Sequence, residues 1–234
     1  MSIQNIVVQK SVTYSSVYGS GGVRTDPNTQ YVVAAITDAS KQNPPEFILK
    51  TDGQTFESGL SGTRGHRRYG VAGYTRPYLV FPVPSPLSVS NSRIRLTEGE
   101  AAGYTWALPA EARAKLSAPS PRFELESLTV PDSVDRREDL SVSLTVRNVS
   151  DTDGRFLAAV YWPTTTVDDD ESHVLEATVP AGETAAPSLD IYARGAETTD
   201  CVATLTVEGH VSASRRVEVD EPNSPDGRTT EILP

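Results

Sequence analysis

Leu140-Ser-Val-Ser-Leu-Thr-Val-Arg-Asn-Val-Ser-Asp-Thr-Asp-Gly154 carries the clearest structural signal in the chain. Leu140, Val142, Leu144 and Val146 alternate with Ser141, Ser143, Thr145 and Arg147. That period of two turns one set of side chains to a core and the other to water. Asp151-Thr-Asp-Gly154 then supplies a turn. Upstream, Phe123, Leu125, Leu128 and Val130 begin the same kind of pattern. Downstream it continues through Phe156–Trp162, His173–Val179, Leu189–Ala193, Cys201–Val207 and Val211–Val219. On Cys201–Val207 the inward set is Cys201, Ala203, Leu205 and Val207, so the thiol is expected in the core as a small hydrophobe.

About seven strands over roughly 100 residues, separated by turn signals, predict an immunoglobulin-like (Ig-like) β-sandwich. It starts just after Ser117-Ala-Pro-Ser-Pro121, where the chain changes character. Residues 1–120 carry 12 Lys and Arg against 8 Asp and Glu, a formal +4; residues 121–234 carry 9 against 23, a formal −14. No lysine follows Lys115. Prolines two apart exclude helix and favour extended backbone. The junction is therefore expected to be a hinge or spacer between two domains, 1–120 and 121–220, with 221–234 a polar, extended tail.

In the first domain, Ile3 to Tyr14 reads as a strand and the Gly- and Ser-rich Ser15–Asn28 as a long loop. Tyr31–Thr37 is nearly continuous in β-prone residues, as expected of a strand covered on both faces. Asn43-Pro44-Pro45 turns the chain. Phe47–Leu49 follows, with Asp52-Gly53 as a hairpin turn. Tyr78–Val83, bracketed by prolines, is expected at a sheet edge or a barrel corner. Val89, Ile94 and Leu96 mark another strand, Tyr104–Leu108 one more, and Pro109–Leu116 a short helix. The fold class expected is all-β: an N-terminal jelly-roll-like β-sandwich or barrel followed by the Ig-like β-sandwich.

A net charge of −10 argues against a direct nucleic-acid grip, which needs cationic surface. Excess Asp and Glu, with arginine preferred over scarce lysine, suits concentrated salt. At ~1 M the screening length falls to ~3 Å and neighbouring carboxylates cease to repel appreciably. Cys201 is the only cysteine, so no intrachain disulfide forms. The first residues lack the basic and apolar regions of a signal peptide, and no stretch approaches the ~18 apolar residues of a membrane span.

No catalytic constellation is expected. His66, His173 and His210 stand apart from Ser or Asp at any recognisable spacing, and no GxSxG or HExxH occurs. Gly19-Ser-Gly-Gly22 lacks the GK[ST] of a phosphate loop. Asn148-Val-Ser150 matches a glycosylation sequon, though without a signal peptide its use is not expected. Arg64, His66, Arg67 and Arg68 form a basic loop suited to an anionic surface or a subunit contact. Asp168, Asp169, Asp170 and Glu171 are a candidate weak cation site, although their contiguity suits a solvated loop tip better than a ligand set. No cofactor or metal centre is expected.

The Leu140–Gly154 string, followed by Val179-Pro-Ala-Gly-Glu183, resembles cell-adhesion-related Ig-like modules of bacteria and archaea. As a whole, the salt-adapted composition, a jelly-roll-like first half and an acidic Ig-like second half resemble the larger major capsid protein of haloarchaeal icosahedral viruses with an internal membrane. The resemblance implies a single jelly roll in the shell and a second β-domain stacked on it as a tower. It also implies self-assembly into homo- and hetero-oligomeric capsomers, a smaller companion capsid protein, and possible contact with internal membrane lipid. Localisation would be the virion, assembled in the host cytoplasm, with no enzymatic activity. A tower facing brine tolerates a charge of −14 better than a packed shell does. The competing expectation is a two-domain haloarchaeal cell-surface or adhesin-type binding protein.

Overall fold

Short runs of Val, Ile, Thr and aromatic residues, broken by Pro and Gly, form strands in preference to helix. A computed structural model describes residues 2–14, 22–37, 46–59, 69–70, 78–97, 102–164, 172–194 and 196–220. The first half contains β1 (Ser2–Gln9), β2 (Ser11–Tyr14), β3 (Gly22–Thr25), β4 (Thr29–Thr37), β5 (Phe47–Lys50), β6 (Thr55–Glu57), β7 (Tyr69–Gly70), β8 (Tyr78–Pro84), β9 (Arg93–Leu96) and β10 (Thr105–Ala107). The helix α1 (Ala110–Ser117) follows, with Pro109 as its N-cap. The second half contains β11 (Phe123–Thr129), β12 (Ser133–Asp135), β13 (Asp139–Asn148), β14 (Gly154–Tyr161), β15 (His173–Val179), β16 (Thr184–Ala185), β17 (Ser188–Tyr192), β18 (Val202–Gly209) and β19 (Ala213–Asp220). The chain is all-β apart from α1 among the described residues.

Five sheets result. Sheet I has the order β10-β9-β5-β6, sheet II β1-β4-β8 and sheet III β3-β2-β7. Sheet IV runs β12-β19-β18-β14-β15, and sheet V sets β11 on one side of β13 with β16 and β17 on the other. Pairing is antiparallel except for β12 beside β19. Among the described residues every ladder lies wholly before or wholly after the 117–121 junction.

Burial follows the alternation. Val32, Ala34 and Ile36 of β4 join Phe47, Leu49, Phe81, Ile94 and Leu96 in a core between sheets I and II, closed by Ala112 and Leu116 of α1. Tyr31, Val33 and Ala35 point the other way and pack with Val12 and Val80 beneath sheet III. β4 is thus covered on both faces, and β8, with Pro82 and Pro84, lies at the edge of sheet II as its prolines require. In the second half, Leu140, Val142, Leu144 and Val146 of β13 meet Phe156, Ala158, Val160, Leu205, Val207 and Val217 between sheets IV and V. Leu157 and Ala159 of β14 are also 0% exposed, yet face outward from that core. The β2–β3 hairpin covers that side of β14 and β18. Sheets I to V therefore form a stack in which III joins II to IV.

Three expectations are corrected. The segment Ser15–Asn28 is not all loop, because Gly22–Thr25 is β3, paired to β2 from Ser11↔Thr25 to Tyr14↔Gly22. Ile3 to Tyr14 is two strands: β1 pairs with β4, then the chain turns at Lys10 so that β2 pairs with β3. Cys201 is exposed, not in the core. Asp200 and Cys201 adopt φ of 53° and 61°, a left-handed turn that breaks the alternation before β18 begins at Val202. Ala203, Leu205 and Val207 keep their inward places. The tail 221–234 and Asn43-Pro44-Pro45 lie outside the described residues.

Candidate functional site

The chain is anchored on either side of the junction, each side to its own body. On one side, Lys10 Nζ donates to Ala118 O at 2.6 Å, to Ser85 Oγ at 3.3 Å and to Gln30 Oε1. The buried Gln30 amide donates to Leu116 O at 2.9 Å and Pro84 O at 2.7 Å. Ser85 and Ser120 hydroxyls lie 2.8 Å apart. Burial pushes the Lys10 ammonium down to about 8. On the other side, Val149 N–H donates to Arg122 O at 2.9 Å. Pro121 and Phe123 crowd Gly154 so closely that a Cβ there would sit 2.5 Å from Pro121 Cβ and 2.7 Å from Phe123 Cζ.

A second seam forms where β3 crosses β14 and β18. Thr25 Oγ1 donates to Gly209 O at 2.8 Å. A Cβ at Gly22 would lie 2.5 Å from Tyr161 Oη and 2.9 Å from Tyr14 Oη, so a larger residue there would displace these hydroxyls. Arg24 stands 6.0 Å from the centroid of the Tyr14 ring. An open cleft of about 540 Å³ flanks the seam, lined by Arg24, Thr25, Thr206, Glu208, Ser212 and Ser214 among others. The next residue, His210, packs its ring 4.8 Å from Phe123 and 5.8 Å from Phe156, centroid to centroid. Joint and seam therefore meet at the β18–β19 turn.

The two ends of the stack carry opposite charge. On the outer face of sheet I, Arg93 lies directly across from Lys50, and Arg95 stands two residues along β9. On the outer face of sheet V, Asp139 pairs with Tyr192 and Ser141 with Asp190. Tyr104, beside β10, and Tyr192 are 62% and 52% exposed, large for aromatic residues.

Arg64, His66, Arg67 and Arg68, and likewise Asp168, Asp169, Asp170 and Glu171, lie outside the described residues. Among the described residues no group of three or more His, Cys, Asp or Glu is placed to hold a metal ion. No helix among them is long and apolar enough to cross a membrane. His173 is exposed at the start of β15. Asn148 of the sequon is 0% exposed. Its Nδ2 donates to Thr152 O at 2.8 Å and Val179 O at 2.9 Å, and its Oδ1 accepts from Ser150 N–H at 3.1 Å. That amide fastens a turn and has no room for a glycan. The charged end faces escaped sequence reasoning because each is assembled across strands; the signal available was Arg93-Ile-Arg95, two cations at the β period.

No described protein family matches the chain, and no curated protein is similar to it. Among solved structures it is similar to a β-glucosidase from Listeria innocua in complex with gluconolactone, with 19% identity over 44% of this chain and a TM-score of 0.35. It is also similar to a β-glucosidase from Erythrobacter marinus, with 14% identity over 43% of this chain and a TM-score of 0.36. The match spans 16% of the length of each of those chains. A likeness this slight carries no argument about activity.

Proposed function

We propose that the chain is a structural subunit of an assembled icosahedral shell, of the kind built by the larger major capsid protein of haloarchaeal viruses with an internal membrane. Residues 1–120 are the jelly-roll-like shell domain and residues 121–220 the acidic Ig-like tower, displayed outward in high salt. The observation that carries this reading is the anchoring of the junction on both sides, between two β bodies of opposite charge balance. Lys10, Gln30 and Ser85 grip residues 116–120 from one body, and Gly154 seats Pro121 in the other. A displayed domain that must keep one orientation in every copy needs such a joint, whereas a flexible spacer would scatter it. The parallel β12–β19 pair beside an antiparallel two-sheet core supports the Ig-like assignment of the second body.

The partners under this reading are copies of the chain, a smaller companion capsid protein and, beneath the shell, lipid. The test is electron microscopy of purified native material in molar salt. The expected result is a regular shell with towers projecting outward, lost on transfer to dilute buffer as carboxylates repel again. Single, non-assembling particles tethered to a cell envelope would overturn it in favour of an adhesin-type binding protein.

A further inference from the structure

We propose that the outer face of sheet I carries a binding site for a phosphate-class oxyanion, held by Lys50, Arg93 and Arg95. This goes beyond the assembly reading and does not depend on it. The strand register builds the site. Arg93 lies directly across β9–β5 from Lys50, and Arg95, two residues along β9, lies directly across from Thr105 of β10. Opposite positions on one face bring Cβ atoms to about 5 Å, and residues two apart on a strand stand about 6.6 Å apart. All four side chains line one concavity of about 500 Å³. Like charges directly opposite one another weaken a ladder. An anion seated among the three cations reverses that repulsion.

The carboxylates nearby do not fill this place. Asp52 lines the concavity, but its oxygens accept from Ser90 N–H at 2.6 Å, Ser90 Oγ at 2.7 Å and Asn91 N–H at 3.0 Å. Glu57 shares the sheet face and stands level with Arg95, two strands away with Ile48 between them. That separation is about 9.6 Å, close to the screening length of about 10 Å at 0.1 M salt. Glu46, two residues before Ile48, is diagonal to Arg95. Among the described residues neither glutamate pairs with the three cations, and neither lines the concavity. The donors select the ligand. Arginine forks bind oxyanions bidentately, and lysine adds a point charge. These groups reach in from β5 and β9, with the Thr105 hydroxyl on β10. A planar carboxylate occupies one fork, whereas a tetrahedral oxyanion presents acceptors in several directions at once. The volume admits a phosphate together with the group esterified to it. A soluble phosphate ester and a lipid headgroup share this chemistry.

The test titrates the full chain with inorganic phosphate at about 0.1 M salt, followed by calorimetry. One saturable site per chain is expected, at least tenfold weaker in R93Q/R95Q. R137Q/R216Q, which removes two exposed arginines elsewhere, should bind as the parent does. Thermal melts separate binding from folding. Arg93 opposes Lys50, so R93Q/R95Q should melt no lower than the parent without phosphate, and phosphate should raise the parent's midpoint alone. Phosphatidylglycerol vesicles distinguish the source. Vesicle binding that inorganic phosphate competes away, and that R93Q/R95Q lacks, assigns a lipid phosphate; phosphate binding without vesicle binding assigns a soluble ester. Equal phosphate affinity in the parent and R93Q/R95Q overturns the site. So does a comparable loss in R137Q/R216Q, or a parent that binds phosphate no better than chloride.

Discussion

His210 Nδ1 lies 2.9 Å from the amide nitrogen of Leu157, so the imidazole accepts a backbone proton across the β14–β18 ladder. Leu157 O accepts the His210 backbone N–H at 3.1 Å and also lies 3.1 Å from Nδ1. Burial pushes the imidazole down to about 4; the Leu157 carbonyl opposes this and the Arg155 charge adds to it. The neutral ring is therefore the folded form. Stability from this site is complete above the unfolded value near 6.5 and is lost as pH falls from there through about 4. A proton there costs at most about 3 kcal/mol. Urea midpoints for the parent and His210→Phe measured from pH 7 to pH 4.5 should converge as the medium acidifies. Parallel curves would show that the ring binds its proton equally well folded and unfolded, so that burial does not lower its affinity.

The joint makes a second prediction. Lys10→Met removes the donor to Ala118 O and Gln30 Oε1 and leaves those acceptors half-buried without a partner. The expected loss is about 1–3 kcal/mol. Lys10→Arg keeps the charge and should recover part of it. Thermal melts in molar salt, where surface charge effects are screened, isolate this term. An unchanged midpoint for Lys10→Met would mean that the ammonium is not holding the junction.

Gly154→Ala should destabilise through sterics alone. The added carbon would meet Pro121 Cβ at 2.5 Å and Phe123 Cζ at 2.7 Å. Phe123 is itself held edge-on to Phe156 at 5.4 Å, so the ring has little freedom to retreat. Overpacking of this kind costs typically 1–3 kcal/mol. Chemical denaturation gives the value directly; a cost under about 0.5 kcal/mol, the ordinary surface range, would show that the joint yields.

Much of this architecture was legible because burial on one face imposes a period of two. β13 declared itself from Leu140 to Val146, and β4 from a run too apolar to have a wet side. The same reasoning applies to Phe156-Leu-Ala-Ala-Val160, whose unbroken apolar run is the mark of β14 being covered twice. What covers it was not legible, because Gly22–Thr25 is short, follows a Gly- and Ser-rich stretch and owes its strand form to β2 and to the second body. Cys201 fell outside the alternation because two left-handed residues reset the chain before β18. The prolines of the junction spoke only of extended backbone, while the hydrogen bonds that anchor its first side come from Lys10 and Gln30, more than 80 residues away in sequence.

The seam makes the last prediction, on separated halves. Among the described residues all ladders stay on one side of the junction, and the I–II and IV–V cores each draw their residues from one body. A chain ending at residue 121 and a chain beginning at 122 should therefore each unfold cooperatively. The second will not be innocent, because without β3 the outer face of β14 exposes Leu157 and Ala159. Uncovering a leucine costs about 1.5–3 kcal/mol of hydrophobic stabilisation. The isolated second half is expected to bind a hydrophobic dye and self-associate, and the first half added in trans should suppress both. Thr25→Val in that first half removes the hydroxyl that reaches Gly209 O and should weaken the suppression. A second half that stays monomeric, binds no dye and ignores the first half would mean that the β2–β3 hairpin rests on sheet IV without stabilising it.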